Sequence, residues 1–299
     1  MVYDVIPRSA LNGIHRKEAE HMANFDIYAA VTERIIAQLE QGIIPWSKPW
    51  IARGHQAISH ISGKPYSLLN QMMLGRAGEY LTFKQVQDEG GKVKKGAKSS
   101  MVVFWKWIEQ KDEETEEVKK ITFLRYFNVF HIDQCEGIKA KWAGEPLKEH
   151  ASADEAAEQI MADYLSRSGV KLAHEEGDHA FYRPSTDSIT LPLREQFAQT
   201  AEYYSTAFHE MVHSTGHESR LNRLEKLAFF GSESYSKEEL VAEIGSAALV
   251  NHVGLETEAS FRNSSAYVQN WLKALQDDKR LIVSASSKAE KAVGLILNQ

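Results

Sequence analysis

The most informative segment of the sequence is Thr206-Ala207-Phe208-His209-Glu210-Met211-Val212-His213-Ser214-Thr215-Gly216-His217. His209 and His213 are four residues apart, so on an α-helix they lie on one face, one turn apart. Two imidazoles at this spacing can bind one zinc ion, and Glu210 can act as a general base toward water at that ion. The pattern predicts a helix that carries a metal site. Two exposed histidines on an amphipathic helix are the alternative.

Such a site requires a third protein ligand. The form of the motif with a third histidine is excluded, because a serine stands six residues after the second histidine. A glutamate from a following helix is the other solution, and residues 236–249 predict that helix. Ser236 and Glu239 match a capping box, which gives Glu239 a structural role. Glu243 lies at the margin of the apolar stripe, where a carboxylate needs a partner, so it is the predicted third metal ligand.

Length and composition predict two domains in an ordinary globular chain. The sequence has 299 residues, of which 43% are hydrophobic and 25% charged. A single cysteine, Cys135, excludes an internal disulfide and favours a reducing cytoplasm. The sequence shows neither a membrane-spanning apolar run nor a signal-peptide pattern at its start, so we expect a cytoplasmic protein without a membrane partner.

The net charge of −6 is unevenly distributed. Residues 1–149 hold 21 Lys and Arg against 19 Asp and Glu, a balance of +2. Residues 150–299 hold 14 against 22, a balance of −8. The difference favours an anion-binding first domain and an unrelated second one.

The first half predicts an α+β domain. Helices are expected from Asn24 to just before Gly42, over 67–74 and from Thr82, where Gln85 completes a capping box. Residues 101–108 and 121–130 predict the two strands of a hairpin. Residues 1–21 show no periodicity and are expected to form a leader, which places the first domain at 22–145.

Two stretches of the first half have the residue types that bind single-stranded nucleic acid. A glycine-flanked lysine loop leads into an aromatic strand, and a Pro/Trp-rich turn follows the first helix. Lysines can neutralise phosphates and aromatic rings can stack on bases. The alternatives are a solvated charge cluster and a tryptophan corner packed on the core. The candidate residues are Trp46, Lys48, Trp50, Lys92, Lys94, Lys95, Lys98 and Trp105.

The second domain is expected at 150–299. A capped helix stopped by Gly169 comes first, and a hairpin of 181–183 with 188–191 follows. The helix with the two histidines is expected from near Thr200. Three more helical stretches are then expected, the first of which carries the predicted glutamate ligand.

Both halves resemble the ArdC antirestriction family of conjugative plasmids, whose amino-terminal domain is shared with plasmid primases. The resemblance covers residues from about 24 to the end. In the first half it is carried by residues 31–36, 39–42, 45–50, 81–85 and 93–96. In the second half it is carried by residues 209–217, 220–221 and 239–244. Ser214 departs from the tryptophan expected in many relatives, and it touches no predicted ligand.

The resemblance implies an amino-terminal domain that binds single-stranded DNA and a zincin-like metallopeptidase domain, both α+β. It also implies zinc or another divalent transition metal as cofactor, and protection of an incoming plasmid from restriction during conjugation. Double-stranded DNA, a protein substrate and a host restriction enzyme are further candidate partners.

Two hypotheses remain open beside a weaker third. In the first, the protein is a zinc metallopeptidase in which Glu210 takes a proton from water and residues 188–191 hold the substrate by strand addition. In the second, it is a DNA-binding protector whose metal site is structural or idle. The third is a primase-associated DNA-binding accessory protein. Candidates for stabilising an oxyanion in the first hypothesis are Tyr203, Tyr204, Tyr235 and His217.

Overall fold

The computed structural model describes residues 25–47, 56–111, 118–142, 153–224, 233–255 and 258–299. The expected leader, residues 1–21, and the expected boundary near residue 145 lie outside these ranges. The helices of the first half are α1 (Ile27–Glu40), α2 (Leu68–Leu74) and α3 (Phe83–Asp88). Its strands are β1 (Ala57–Ser59), β2 (Gly78–Thr82), β3 (Lys92–Val93), β4 (Ser100–Lys111), β5 (Val118–His131) and β6 (Cys135–Glu136).

A four-stranded sheet in the order β1-β2-β5-β4 organises the first half. β1 and β2 are parallel, and the other pairs are antiparallel, with Phe104 opposite Arg125 in the long β4–β5 hairpin. β3 and β6 form a separate two-stranded sheet. Helix α3 begins with the predicted capping box of Thr82 and Gln85.

Helix α2 closes both edges of the four-stranded sheet with two buried amides. The Asn70 side chain exchanges two 2.8 Å hydrogen bonds with the backbone of Val103 on β4. Gln71 does the same with Ala57 on β1. A primary amide can donate and accept at the same time, as a strand backbone does, so each side chain replaces a neighbouring strand at that position. The sheet edges are thereby satisfied at these residues without a further strand.

The second half consists of a small sheet and a group of packed helices. Its strands β7 (Lys171–Glu175), β8 (Phe181–Arg183) and β9 (Ser188–Pro192) form a sheet in the order β7-β9-β8. β9 pairs in parallel with β7 and antiparallel with β8, as the predicted hairpin requires. The helices are α4 (Ala153–Ser168), α5 (Thr200–Ser214), α6 (Glu233–Val253), α7 (Glu258–Asp277) and α8 (Leu281–Ile296).

One hydrophobic core runs through both halves. Buried residues of α1, α2 and the β4–β5 base join those of α4 to α8 in a single cluster. The 3₁₀ turn at Pro45–Ser47 packs on α6, and Trp46 meets Trp271 edge to face, with ring centroids 5.3 Å apart. Thr32 donates a 2.8 Å hydrogen bond to the Lys279 carbonyl across the same contact. The predicted α+β class is confirmed, and the two halves share buried packing rather than a thin linker.

Candidate metal centre

The two histidines lie on the partly exposed face of helix α5, and the opposite face packs in the core. Ala207, Phe208, Met211 and Val212 are fully buried in the common core, whereas His209 and His213 are partly exposed. The two rings lie one turn apart, and their Nε2 atoms are 3.1 Å from each other. The predicted helix therefore brings two imidazole nitrogens to one point.

Helix α6 crosses close to α5 because Gly245 faces Val212. A Cβ atom on Gly245 would lie 2.8 Å from Val212 Cγ2, closer than side chains can approach. Ser246 next to it donates a 2.8 Å hydrogen bond to the Ser205 carbonyl of α5. The missing side chain lets the two backbones approach, and this approach carries a carboxylate of α6 to the histidines.

That carboxylate belongs to Glu239. One of its oxygens lies 3.4 Å from His209 Nε2 and the other 3.3 Å from His213 Nε2. With the 3.1 Å between the nitrogens, these distances form a nearly equilateral triangle. Ligands bound to zinc at 2.0–2.1 Å in tetrahedral geometry stand about 3.3–3.4 Å apart. The donor set of two imidazoles and one carboxylate therefore fits a divalent transition metal, and it leaves one position open.

Glu243, predicted as the third ligand, lies elsewhere. Its carboxylate is 3.9 Å from Nδ1 of His209, on the side of the ring that faces away from the ligand triangle. The prediction depended on a capping role for Glu239, but α6 begins at Glu233, so residue 236 lies inside the helix and not at its start. Because Glu239 has no role at the helix start, its side chain can turn to the histidines. The geometry replaces Glu243 by Glu239 as the carboxylate of the site.

A second carboxylate, Glu238, holds the outer nitrogen of His213. Its Oε1 lies 3.3 Å from His213 Nδ1. Arg223, from the loop after α5, donates to Glu238 at 2.8 Å and also to the Val212 carbonyl. Metal-binding histidines commonly donate their other N–H to a carboxylate, which fixes the ring orientation. Glu238 and Arg223 were missed in the sequence, because their pairing depends on a loop folding back onto α6.

The charges of the cluster balance one another. Burial lowers the pKa of both histidines, but hydrogen bonds to carboxylates outweigh it, so the pKa of His209 is raised and that of His213 is raised to about 10. Burial raises the pKa of Glu239, yet the hydrogen bonds from the two histidines hold it well below its ordinary range. A divalent cation takes the place of the protons that the imidazoles otherwise carry, so its binding releases protons. Glu210, the predicted base, is buried beside the site, and its charge also raises the pKa of both histidines.

Two of the four candidates for stabilising an oxyanion are excluded by their positions. Tyr203 and Tyr204 are fully buried, the first beside His174 Nε2 at 3.0 Å and the second donating to Glu158 at 2.9 Å. His217 is partly exposed, with its Nδ1 2.8 Å from the Ser219 hydroxyl. The side chain of Tyr235 lies outside the described residues.

The predicted role of strand 188–191 in substrate binding is wrong. β9 is the central strand of its sheet, so its backbone is already paired on both sides. The described edges of that sheet belong to β7 and β8, and β8 also packs on α5.

Among the described residues, the predicted nucleic-acid-binding side chains do not form one surface. Trp46 is only 1% exposed, so it packs in the core, and its predicted role in stacking on bases is wrong. Lys48 and Trp50 lie outside the described residues. The four loop lysines are exposed at β3 and the β3–β4 connection; they are Lys92, Lys94, Lys95 and Lys98. Trp105 is 43% exposed but lies five residues along β4, about 17 Å from the strand start.

The comparisons with known proteins agree with both halves. Residues 25–130 match the family described as the N-terminal domain of anti-restriction factor ArdC, and residues 155–288 match the zincin-like metallopeptidase family. A solved structure of the antirestriction protein ArdC from plasmid R388, in its metal-free form, is 36% identical, with a TM-score of 0.70. The match covers 92% of this chain and 97% of that one. The chain belongs to the ArdC antirestriction family.

Other relatives extend this picture. The Mn(II)-bound structure of the R388 ArdC is 35% identical with a TM-score of 0.73, covering 92% of this chain and 98% of that one. The uncharacterized protein y4eC of Sinorhizobium fredii is 32% identical, with 89% of this chain and 90% of the relative covered. The DNA primase TraC of Escherichia coli is 36% identical over 311 residues, which span 96% of this chain and 21% of the primase. This chain thus corresponds in length to about one fifth of the primase.

The predictions of the family and of a divalent metal cofactor are confirmed by the zincin-like match and the metal-bearing relative. The fit of the three ligand atoms described above agrees with them. Among the described residues, no helix is long and apolar enough to cross a membrane.

Proposed function

We propose that this ArdC-family chain is an antirestriction protein with two activities. Its second half is a divalent-metal hydrolase of the peptidase type, and its first half binds single-stranded DNA. The observation that carries the first activity is the triangle of His209, His213 and Glu239 beside Glu210. A purely structural metal site has no need of a carboxylate adjacent to its first histidine.

Each residue of the proposed site has a separate task. A bound divalent metal supplies Lewis-acid polarisation of a substrate carbonyl. Glu210 takes a proton from the attacking water and is positioned by the same helix that carries the histidines. Glu238 and Glu243 lie at the outer Nδ1 atoms of His213 and His209, where they keep the rings oriented.

A peptide substrate fits the small sheet next to the site. β8 is an edge strand that packs on α5, so a substrate backbone added to its outer side would run along the helix with the two histidines. This arrangement assigns the role first expected of residues 188–191 to residues 181–183. The substrate itself is then a protein, and a host restriction enzyme is a candidate.

Three observations support single-stranded DNA as the partner of the first half. The residues matching the ArdC amino-terminal domain include all four exposed loop lysines. The TraC relatives are named DNA primases. Exposed rings stand farther along β4, the strand into which the lysine loop leads. We propose that the bound strand is the DNA that enters the cell during conjugation and that binding accompanies its protection from restriction.

The change Glu210→Gln tests whether the metal site works in catalysis. It keeps the size of the side chain but removes the base, so plasmid protection should fall by at least about 10²-fold if proton transfer is required. Metal content and affinity for oligothymidylate should stay at the parent level. The matched control is Glu202→Gln in the first turn of the same helix, which should protect as the parent does.

The alternative, a DNA-binding protector with an idle metal site, predicts a different result. Protection by the Glu210→Gln variant would then equal that of the parent, and the peptidase proposal would be wrong. Loss of protection together with loss of metal would instead place Glu210 in the structure of the site rather than in its chemistry.

A further inference from the structure

A cavity of about 600 Å³ opens where the two halves of the chain meet. Tyr28 of α1 and Trp105 of β4 line it from the first half. The start of α6 and the residues from the end of α7 into α8 line it from the second half. We call this cavity the junction groove. The metal centre does not include any of its lining residues.

The junction groove is basic although the second half of the chain is acidic. Residues 150–299 hold 14 Lys and Arg against 22 Asp and Glu. Four of those 14 line the groove, and Asp278 is the one acid among the described lining residues. They are Lys237, Arg280, Lys288 and Lys291. Lys237 pairs with Asp278 at 3.2 Å, which leaves a local excess of positive charge facing the opening.

The basic residues of α8 form a stripe along the groove. Arg280 precedes the helix, and Ser284, Lys288 and Lys291 follow at steps of four, four and three residues, so they share one face. The stripe is about 16 Å long at 1.5 Å per residue. That length accommodates several phosphates of one strand at about 3.4 Å each when its bases are stacked.

Trp105 adds an exposed ring to this charged stripe. It is 43% exposed, which is unusual for a tryptophan on a strand adjoining the core. Trp105 lies beside the stripe of α8. It is not beside the lysine loop, which comes before the first residue of β4. The guanidinium of Arg280 lies over the ring of Tyr28, 5.1 Å from its centroid. This cation–π contact holds the Arg280 side chain at the groove.

We propose that the junction groove binds single-stranded DNA, with Trp105 stacking on a base and Lys288 and Lys291 neutralising phosphates. This inference rests on the proposed DNA-binding function and extends it, because most of the contact surface then belongs to the second half of the chain. A flat exposed ring next to cations favours unpaired nucleotides, since every base has a π-face. An acidic peptide would use the lysines but gain nothing comparable from the ring.

The test compares the full-length parent with Lys288→Gln/Lys291→Gln by titrating labelled oligothymidylate at several salt concentrations. Each lysine that neutralises a phosphate contributes about 0.7 to the log–log salt slope, so the double variant should lose about 1.4 and bind about 20-fold more weakly at 0.1 M salt. The matched control is Lys171→Gln/Lys273→Gln, which removes the same charge from two exposed lysines of the second half outside the groove. Its slope should remain within about 0.3 of the parent's.

A second pair of variants identifies the face of the hairpin that meets the strand. Trp105→Ala should weaken binding about five- to a hundredfold without changing the salt slope, as expected for the loss of one stacked base. Phe104 is 44% exposed on the opposite face of β4, and Phe104→Ala should bind as the parent does. Equal thermal midpoints of the parent and the variants show that the fold is intact.

Four outcomes contradict parts of the proposal, and each is distinguishable. If the parent fails to bind oligothymidylate, the proposed DNA-binding function is wrong and the groove proposal falls with it. If the parent binds while the groove variants keep its affinity and slope, only the groove proposal is wrong. A loss with Phe104→Ala but not with Trp105→Ala places the strand on the other face. If polyglutamate of equal charge binds as tightly as oligothymidylate and is weakened equally by both groove changes, the groove is a peptide site instead.

Discussion

Each half of the molecule contains a cluster of histidine and glutamate side chains. The cluster of the first half is buried, and that of the second half is partly exposed. In the first half, His60 Nδ1 lies 2.5 Å from Glu79, and the side chains are 0% and 4% exposed. Glu79 also accepts backbone N–H groups of Lys141 and Trp142. In the second half, His209, His213 and Glu239 are 20%, 13% and 20% exposed, and their ligand atoms point at one another.

The difference shows what separates a structural histidine–glutamate pair from a metal site. The oxygens of Glu79 are saturated by donors of the chain itself, so the carboxylate ties residues 141–142 to β2. The nitrogens and oxygens of the second cluster converge on a common point that opens to solvent. Residue types alone do not distinguish the two cases; the direction of the free lone pairs does.

The largest expected effect is the loss of the metal ion from the second cluster. Glu239→Gln should reduce stoichiometric divalent metal to a small fraction, because an amide is a poor substitute for the anionic ligand. Glu243→Gln should retain the metal, since its carboxylate lies on the outer side of His209. Metal content after dialysis, measured by elemental analysis, decides between them. Retention in Glu239→Gln with loss in Glu243→Gln would restore the original prediction of Glu243.

The spacing of the two histidines could be predicted from the sequence, but which glutamate lies nearest to their Nε2 atoms could not. A four-residue spacing on a helix is a local property, so residues 209–213 determine it alone. The choice between Glu239 and Glu243 depends on where α6 begins, which is three residues before Ser236. It also depends on the crossing of α5 and α6, which Gly245 and Val212 determine together. Neither property is contained in the local pattern.

The tryptophans of the first half show the same difference between local sequence patterns and long-range packing. Hairpin, helices and the capping box of Thr82 followed from short patterns and are present. Trp46 and Trp105 both lie in stretches whose composition favours stacking on bases. Trp46 is nevertheless buried at the contact between the two halves of the chain, which we call the seam, whereas Trp105 is exposed. Burial at the seam depends on α7, more than two hundred residues later in the chain. The sequence pattern around Trp46 contains no information about that partner.

The second prediction concerns the seam between the two halves of the chain. Trp46→Ala should lower the free energy of unfolding by about 3–5 kcal/mol, because it removes a fully buried ring from the common core. Since the core is shared, release of bound metal and loss of tertiary structure should occur at the same denaturant concentration. The control Trp105→Ala should change the free energy of unfolding by no more than about 0.5 kcal/mol. Separate transitions of the two halves would show that the seam is not cooperative.

A smaller effect is expected where α5 and α6 touch. Gly245→Ala introduces a methyl group 2.8 Å from Val212 Cγ2, so the helices must separate slightly and stability should fall by about 1–3 kcal/mol. Metal affinity should fall with it, because Glu239 moves away with α6. The double variant Gly245→Ala/Val212→Ala removes the collision and should regain part of both losses. An unaffected metal affinity in Gly245→Ala would show that the ligand triangle does not depend on this contact.

The smallest effect is expected from the first cluster and depends on pH. Burial raises the pKa of Glu79, but the hydrogen bonds from Trp142, Lys141 and His60 outweigh it and hold the pKa below its ordinary value of 4.5. A carboxyl group with a depressed pKa in the folded state stabilises the fold above its unfolded pKa, and this contribution is lost as the pH falls through the folded pKa. At pH 7, Glu79→Gln should therefore lower the free energy of unfolding by about 0.5–1.5 kcal/mol, the net value of one hydrogen bond, because the amide oxygen of Gln can still accept. The difference in the free energy of unfolding between parent and variant should narrow below pH 4.5.

Glu89→Gln is the control, because Glu89 pairs with the Lys141 side chain at the surface, where solvent screens the interaction. A difference between parent and Glu79→Gln that stays constant from pH 7 to pH 3 would show that Glu79 acts through packing and not through its charge.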